Sequence, residues 1–197
     1  MDIPNFSLSF GQVAWSLSFG EQPKQFLIDK LNYLRQLGIP FLREKKPLGS
    51  GNRVEYNYYD LVECGVAMYA LKNGMKPADL VKVLAGDREN MHRIYEQALA
   101  EQPDACLTAE WVKSKGRIGV VLEHDISLRL HDRYSDTPLK VEPIGLNDAK
   151  NQDISGMFDL VEHYGSSQER LVPLTKLAIQ WVYWAQQAPV FKPGPKE

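Results

Sequence analysis

Apolar residues recur at spacings of three and four through the first hundred positions, the period of helices with one buried face. Val13, Ala14 and Leu17 predict a first helix over about Ser9 to Ser16. Phe19-Gly20 and Pro23 break it. A second helix is predicted from Pro23 or Lys24 to Leu37, since proline suits a first helical position, where its missing N–H would have no partner anyway. Two registers are open for it. One puts Phe26, Lys30 and Leu34 inward; the other, with the better apolar stripe, uses Leu27, Leu31, Leu34 and Leu37. Gly38 is a suitable stop. The opposite face carries Lys24, Gln25, Ile28, Asn32 and Arg35 and is mostly polar.

Two short runs, Phe41 to Glu44 and Arg53 to Tyr56, flank Pro47-Leu48-Gly49-Ser50-Gly51-Asn52. Glycine and asparagine tolerate positive φ, so this stretch is expected to be a hairpin. A third helix is predicted over Tyr59 to Lys72, with Leu61, Cys64 or Gly65, Met68 and Leu71 or Ala70 on one face, ended by Asn73-Gly74. A fourth begins at Pro77 and closes at Gly86, and a fifth runs over 88–101 until Pro103. The pattern then changes. Arg117 to Ile144 has alternating, β-branched character and is expected to form strands. Asp153 to His163 and Glu169 to Gln187 are expected to be helical, and 191–197 a tail.

The chain has 197 residues, 44% of them apolar and 24% charged, which is ordinary globular composition with room for one large or two small domains. Its two cysteines, Cys64 and Cys106, form no CxxC pair, so no zinc site of the usual spacing is present. The N-terminal stretch lacks a basic segment followed by an apolar run, so no secretory leader is expected. The most apolar stretch, Leu171 to Trp184, is short for a membrane span and contains Pro173, Lys176 and Gln180. A cytoplasmic, nucleoid-associated location without membrane contact is the expectation.

The net charge of −2 does not announce a nucleic-acid binder, but the distribution does. Between residues 24 and 53 stand Lys24, Lys30, Arg35, Arg43, Lys45, Lys46 and Arg53 against only Asp29 and Glu44. A duplex carries one negative charge per roughly 1.7 Å of axis, so a clustered basic surface gains by releasing condensed counterions. The second helix can set Gln25 and Asn32 against adenine edges, and Lys24 or Arg35 against guanine or phosphate. Arg43, Lys45, Lys46 and Arg53 would track phosphates, with Asn52 in the hairpin tip. Taken alone, such a charge run more often marks a solvated face.

Further residues add a family. Phe10-Gly11-Gln12-Val13-Ala14, Leu37-Gly38-Ile39, Gly51-Asn52-Arg53-Val54-Glu55-Tyr56, Tyr59-Asp60-Leu61-Val62 and Gly74-Met75-Lys76-Pro77-Ala78-Asp79-Leu80 resemble the DNA-binding domain of the MerR family of regulators, over about the first 86 residues. The resemblance implies a winged helix-turn-helix, binding to DNA as a dimer, and control of transcription. It further implies that Arg53 and Tyr56 contact the DNA backbone.

The second half offers little chemistry. If residues around 120–131 form a strand, His124 and His131 point to opposite faces, which opposes a shared metal site. No GxSxG, phosphate loop, dinucleotide fingerprint or HExxH occurs, so no enzyme, cofactor or metal is expected. Leu177, Trp181 and Trp184 belong to a helix that is apolar nearly all round. Core packing is one use for such a helix and a dimer interface the other.

The combined expectation is an α+β protein, with a winged helix-turn-helix DNA-binding domain over 6–86 and a connecting helix over 87–103. A smaller mixed α+β effector or oligomerisation domain would follow over 104–190. Function is expected to be sequence-specific, dimeric transcription regulation, with double-stranded DNA as partner and room for a small-molecule effector or a protein. Two rivals stay open: an excisionase-like architectural DNA-binding protein, and a protein-interaction module with a basic wing.

Overall fold

Each of the first three helices starts or stops on an identifiable local device. Helix α1, Phe10–Leu17, opens on a capping box: the Ser9 hydroxyl accepts from the Gln12 N–H, and the Ser9 N–H donates to the Gln12 side chain at 2.9 Å. Helix α2, Gln25–Gln36, ends where Gly38 takes φ 88°, which lets the Ile39 N–H return to the Leu34 carbonyl at 3.0 Å. Helix α3, Tyr58–Lys72, has a second capping box, in which Asn57 and Asp60 exchange hydrogen bonds at 3.0 and 3.1 Å. Helices α4, Pro77–Gly86, and α5, Arg88–Ala100, follow, and α6, Leu174–Gln186, begins directly after Pro173.

The computed structural model describes residues 2–40, 54–86, 88–100, 102, 107, 108, 112, 126–131, 141–145 and 169–190. The expected hairpin strand Phe41–Glu44, its tip, the expected helix Asp153–His163, Cys106, His124 and the tail 191–197 lie outside those residues.

One apolar core runs through the molecule. Val13 of α1, Leu31 and Leu34 of α2, Leu61 and Val66 of α3, Leu80 and Leu84 of α4, Tyr95 and Leu99 of α5, and Ile179 and Val182 of α6 are all buried in it. Helix α6 packs against α1, α3 and α5 together. Short strands β1, Ile126–His131, β2, Val141–Gly145, and β3, Glu169–Val172, pair antiparallel in the order β2-β1-β3. Leu128 of β1 and Val172 of β3 reach the same core.

The α+β expectation is therefore corrected: among the described residues the architecture is mainly helical, with six helices. The physical reason lies in α6. A helix apolar on almost every side must be covered on almost every side. It meets that demand between α1, α3 and α5 rather than inside a smaller domain of its own. Two glycines fit it there. A methyl group on Gly65 of α3 would overlap the Trp181 ring, and one on Gly20 would overlap Trp184. Gly20 also has φ 76°, a conformation that costs a residue bearing a Cβ. The helix expected from Glu169 begins only at Leu174, because the chain ahead of Pro173 is extended in β3.

Candidate nucleic-acid interface

The choice of register in α2 decides what it shows to solvent. The structure takes the Leu27, Leu31, Leu34 stripe: Leu31 and Leu34 are buried, Leu27 half-buried, and Phe26 is left 69% exposed. One ridge of α2 then carries Gln25, Asp29, Asn32 and Gln36, all exposed and spaced by three or four residues. Lys24 sits exposed at the helix N-cap. The carbonyl that accepts from Leu27 and Ile28 is its own, and no side chain caps this end. The first N–H groups of α2 thus face outward beside a lysine, an arrangement suited to a phosphate.

The cations flanking this ridge lie against aromatic rings. The Arg35 guanidinium is 5.3 Å from the Phe10 ring centroid on the α1 side. The Lys30 ammonium is 5.5 Å from the Phe26 centroid on the other. Such contacts fix a cation's position while leaving its charge available. The Gln25 amide donates to Asp29 at 2.8 Å, which orients it along the ridge. Asp29 itself was not singled out from sequence. Its signal was available, since it stands four residues after Gln25 and three before Asn32. A carboxylate at that position can accept from a cytosine amino group and repels phosphate, so it narrows what the ridge can face.

The structure brings together Lys24, Gln25, Asn32 and Arg35 on the exposed side of one helix and leaves Lys30, half-buried, on the flank that carries Phe26. Arg43, Lys45, Lys46, Asn52 and Arg53 lie outside the described residues. Tyr56 is placed elsewhere: it is 1% exposed, in the core, and burial pushes its phenol well above the usual range. A backbone contact to DNA through that side chain is corrected, because its ring fills the core beside α3 rather than facing solvent. What Tyr56 does instead is backbone work. It exchanges two hydrogen bonds of 2.9 Å with Leu8, tying the chain after residue 53 to the segment just ahead of α1. The residues expected at a dimer interface in the last helix differ in exposure. Trp181 is 3% exposed and stacked on Gly65, while Leu177 and Trp184 are half-buried.

Behind the ridge stands a buried ionic cluster that sequence reading missed. Arg88, at the start of α5, lies 3.6 Å from Glu63 and 4.0 Å from Asp60, both on α3, and donates to the Pro40 carbonyl at the exit of α2. It therefore links α2, α3 and α5. Glu63 is 1% exposed, and its second oxygen has no hydrogen-bond partner among the described residues. Burial pushes its carboxyl up to about 8, against the pull of Arg88 and with help from Asp60. Arg88 is 25 residues or more from each of its partners in the chain, and only an i, i+3 carboxylate pair hints at them. Cys64 is buried beside this cluster as a free thiol, pushed up by burial, as befits a small core residue rather than a nucleophile.

Among the described residues, no group of three or more His, Cys, Asp or Glu is placed to hold a metal ion, and no helix is long and apolar enough to cross a membrane. Comparison of the chain with models of known protein families gives no match, and comparison with curated proteins gives none.

Proposed function

We propose that the protein is a sequence-specific DNA-binding transcription regulator in which α2 enters the major groove and the basic segment after it holds the backbone. The observation that carries this reading is the exposed ridge Gln25, Asp29, Asn32, Gln36, with Lys24 at its N-terminal end and Arg35 on its flank. Amide and guanidinium side chains on one helix face are the groups that pair bidentately with adenine and guanine edges. The chain leaves α2 at Pro40 and is back beside α1 at Tyr56. Pro40 and Tyr56, which bracket the cation-bearing stretch 41–53, thus both lie next to the helix pair. The resemblance of residues up to about 86 to the MerR family points the same way. A symmetric site and a second subunit belong to this proposal, since two copies of one short helix are needed to specify an operator.

Selection from a pool of random duplexes, followed by sequencing, tests it. Enrichment of one motif, with recurrence as an inverted repeat, is the expected result. In that case Lys24→Ala lowers affinity for all duplexes alike and reduces the log–log salt slope by about 1. Affinity that stays near the micromolar non-specific range, with no motif enriched, would contradict the reading and favour a basic module for an acidic protein partner.

A further inference from the structure

Beside the ridge, on the flank of α2 that carries Phe26 and Lys30, the surface opens into a cavity of about 540 Å³. Its walls come from α1, α2, α3 and α6, with Leu17, Met68 and Trp181 among the apolar groups. Two large apolar side chains at its border are solvent-exposed, Phe26 at 69% and Phe19 at 41%. Exposed aromatics gathered around a concave apolar surface mark a place where something binds. The charges are one-sided. Lys30 and Lys72 are among the lining residues, and no carboxylate is. In a chain with more carboxylates than cations, that is a local reversal of sign.

We infer that this cavity is a binding site for a small amphipathic anion, an aromatic or aliphatic carboxylate. Its apolar body lies between Met68 and Trp181, and its charged end lies between Lys30 and Lys72. The cavity volume falls in the range that encloses such molecules. A carboxylate reached by two ammonium groups at an apolar border gains charge-assisted contacts while its body leaves water. Lys30 and Lys72 would repel a cation, and a neutral ligand would leave the lysines unused. The site also has a consequence for the reading above, on which this second part rests. Phe26 and Lys30 are on α2, one helical face away from Asn32, and a bound anion competes with Phe26 for the Lys30 ammonium. Occupation of the cavity thus acts directly on the helix proposed to read DNA.

The experiment is titration calorimetry of the full chain, without DNA, against 2-naphthoate and against its neutral counterpart 2-naphthalenemethanol. One-to-one binding of naphthoate is expected. The alcohol should bind about tenfold more weakly, and Lys72→Glu should weaken naphthoate by about tenfold, the size of a lost charge-assisted contact. Lys72 is exposed at the end of α3, so the variant keeps the fold, as its unfolding curve will show. Met68→Trp, which fills the cavity, should abolish binding while remaining folded. Equal affinity for acid and alcohol, or binding untouched by both variants, overturns the proposal. So does self-association that Phe26→Glu abolishes with no naphthoate bound, which would make the cavity a contact between copies. A final arm separates this inference from the DNA reading. Naphthoate binding with no enriched duplex keeps the site and removes the regulator, whereas an enriched duplex with no naphthoate binding keeps the regulator and removes the site.

Discussion

Helices α2 and α3 lie side by side and are built from similar parts, yet one shows its polar groups to solvent and the other buries them. Helix α2 hides only Leu31 and Leu34 fully and leaves Gln25, Asp29, Asn32 and Gln36 outside. Helix α3 hides ten of its fifteen residues, Asp60 and Glu63 among them. The difference is a matter of neighbours. Helix α3 is covered by α2, α4, α5, α6 and β3, so any polar group on it must find a partner inside. Helix α2 touches α1 and α3 only along one side. A buried charge on α3, such as Asp60 or Glu63, therefore concerns stability, and an exposed charge on α2 concerns what the protein meets.

Substitutions can break that comparison, and the largest effects are expected on the α3 side. Trp181→Ala removes the ring stacked on Gly65 and should cost about 3–5 kcal/mol in urea unfolding, since the rigid helices around it cannot close the gap. A loss below about 1 kcal/mol would mean that α6 is not held where the structure places it.

The ionic cluster gives the next effect. Folded Glu63 titrates near 8, above the 4.5 of an exposed glutamate, so between those values the native state keeps a proton that the unfolded chain has released. Its contribution to stability is complete below about pH 4.5 and lost as the pH rises through about 8. Stability should thus decline across that window, by an amount on the order of a few kcal/mol, and Glu63→Gln should flatten the decline. An unchanged slope in the variant would show that Glu63 is ionised in the native state and paired with Arg88.

The smallest expected effect on stability sharpens the comparison from the other side. Asn32→Ala, on the exposed ridge, should shift unfolding by no more than about 0.5 kcal/mol. Its effect should fall on recognition instead.

The same contrast explains what the sequence could tell. Helices α1 to α5 were legible to within about two residues at their ends, because Ser9, Gly38, Asn73-Gly74 and Pro77 are local signals that need no distant partner. The exposed half of α2 was legible too, since an amphipathic helix covered along only one side obeys its own periodicity. What failed depended on contacts far along the chain. Tyr56 looked like a surface residue because its motif is, by resemblance, a DNA contact, but the Leu8 bridge turns its ring into the core. The intramolecular neighbours of Trp181 and Trp184 were not legible because the residues they meet, Gly65 and Gly20, are more than a hundred positions away. Of the two registers open for α2, the one with the better apolar stripe, through Leu27, is the one the structure takes. Packing against α3 separated them, leaving Phe26 at the mouth of a cavity. Arg88 could not be joined to Glu63 and Pro40 without the fold.

The central claim is that the outer ridge of α2 reads DNA, and it is tested most directly by comparing wild type with Asn32→Ala. Both would be titrated against the selected duplex and against single-base variants of it, at several salt concentrations. The account predicts a loss confined to one base pair per half-site, worth about 1–3 kcal/mol of discrimination, with the salt slope unchanged. Equal affinity of the two proteins for every duplex would contradict it.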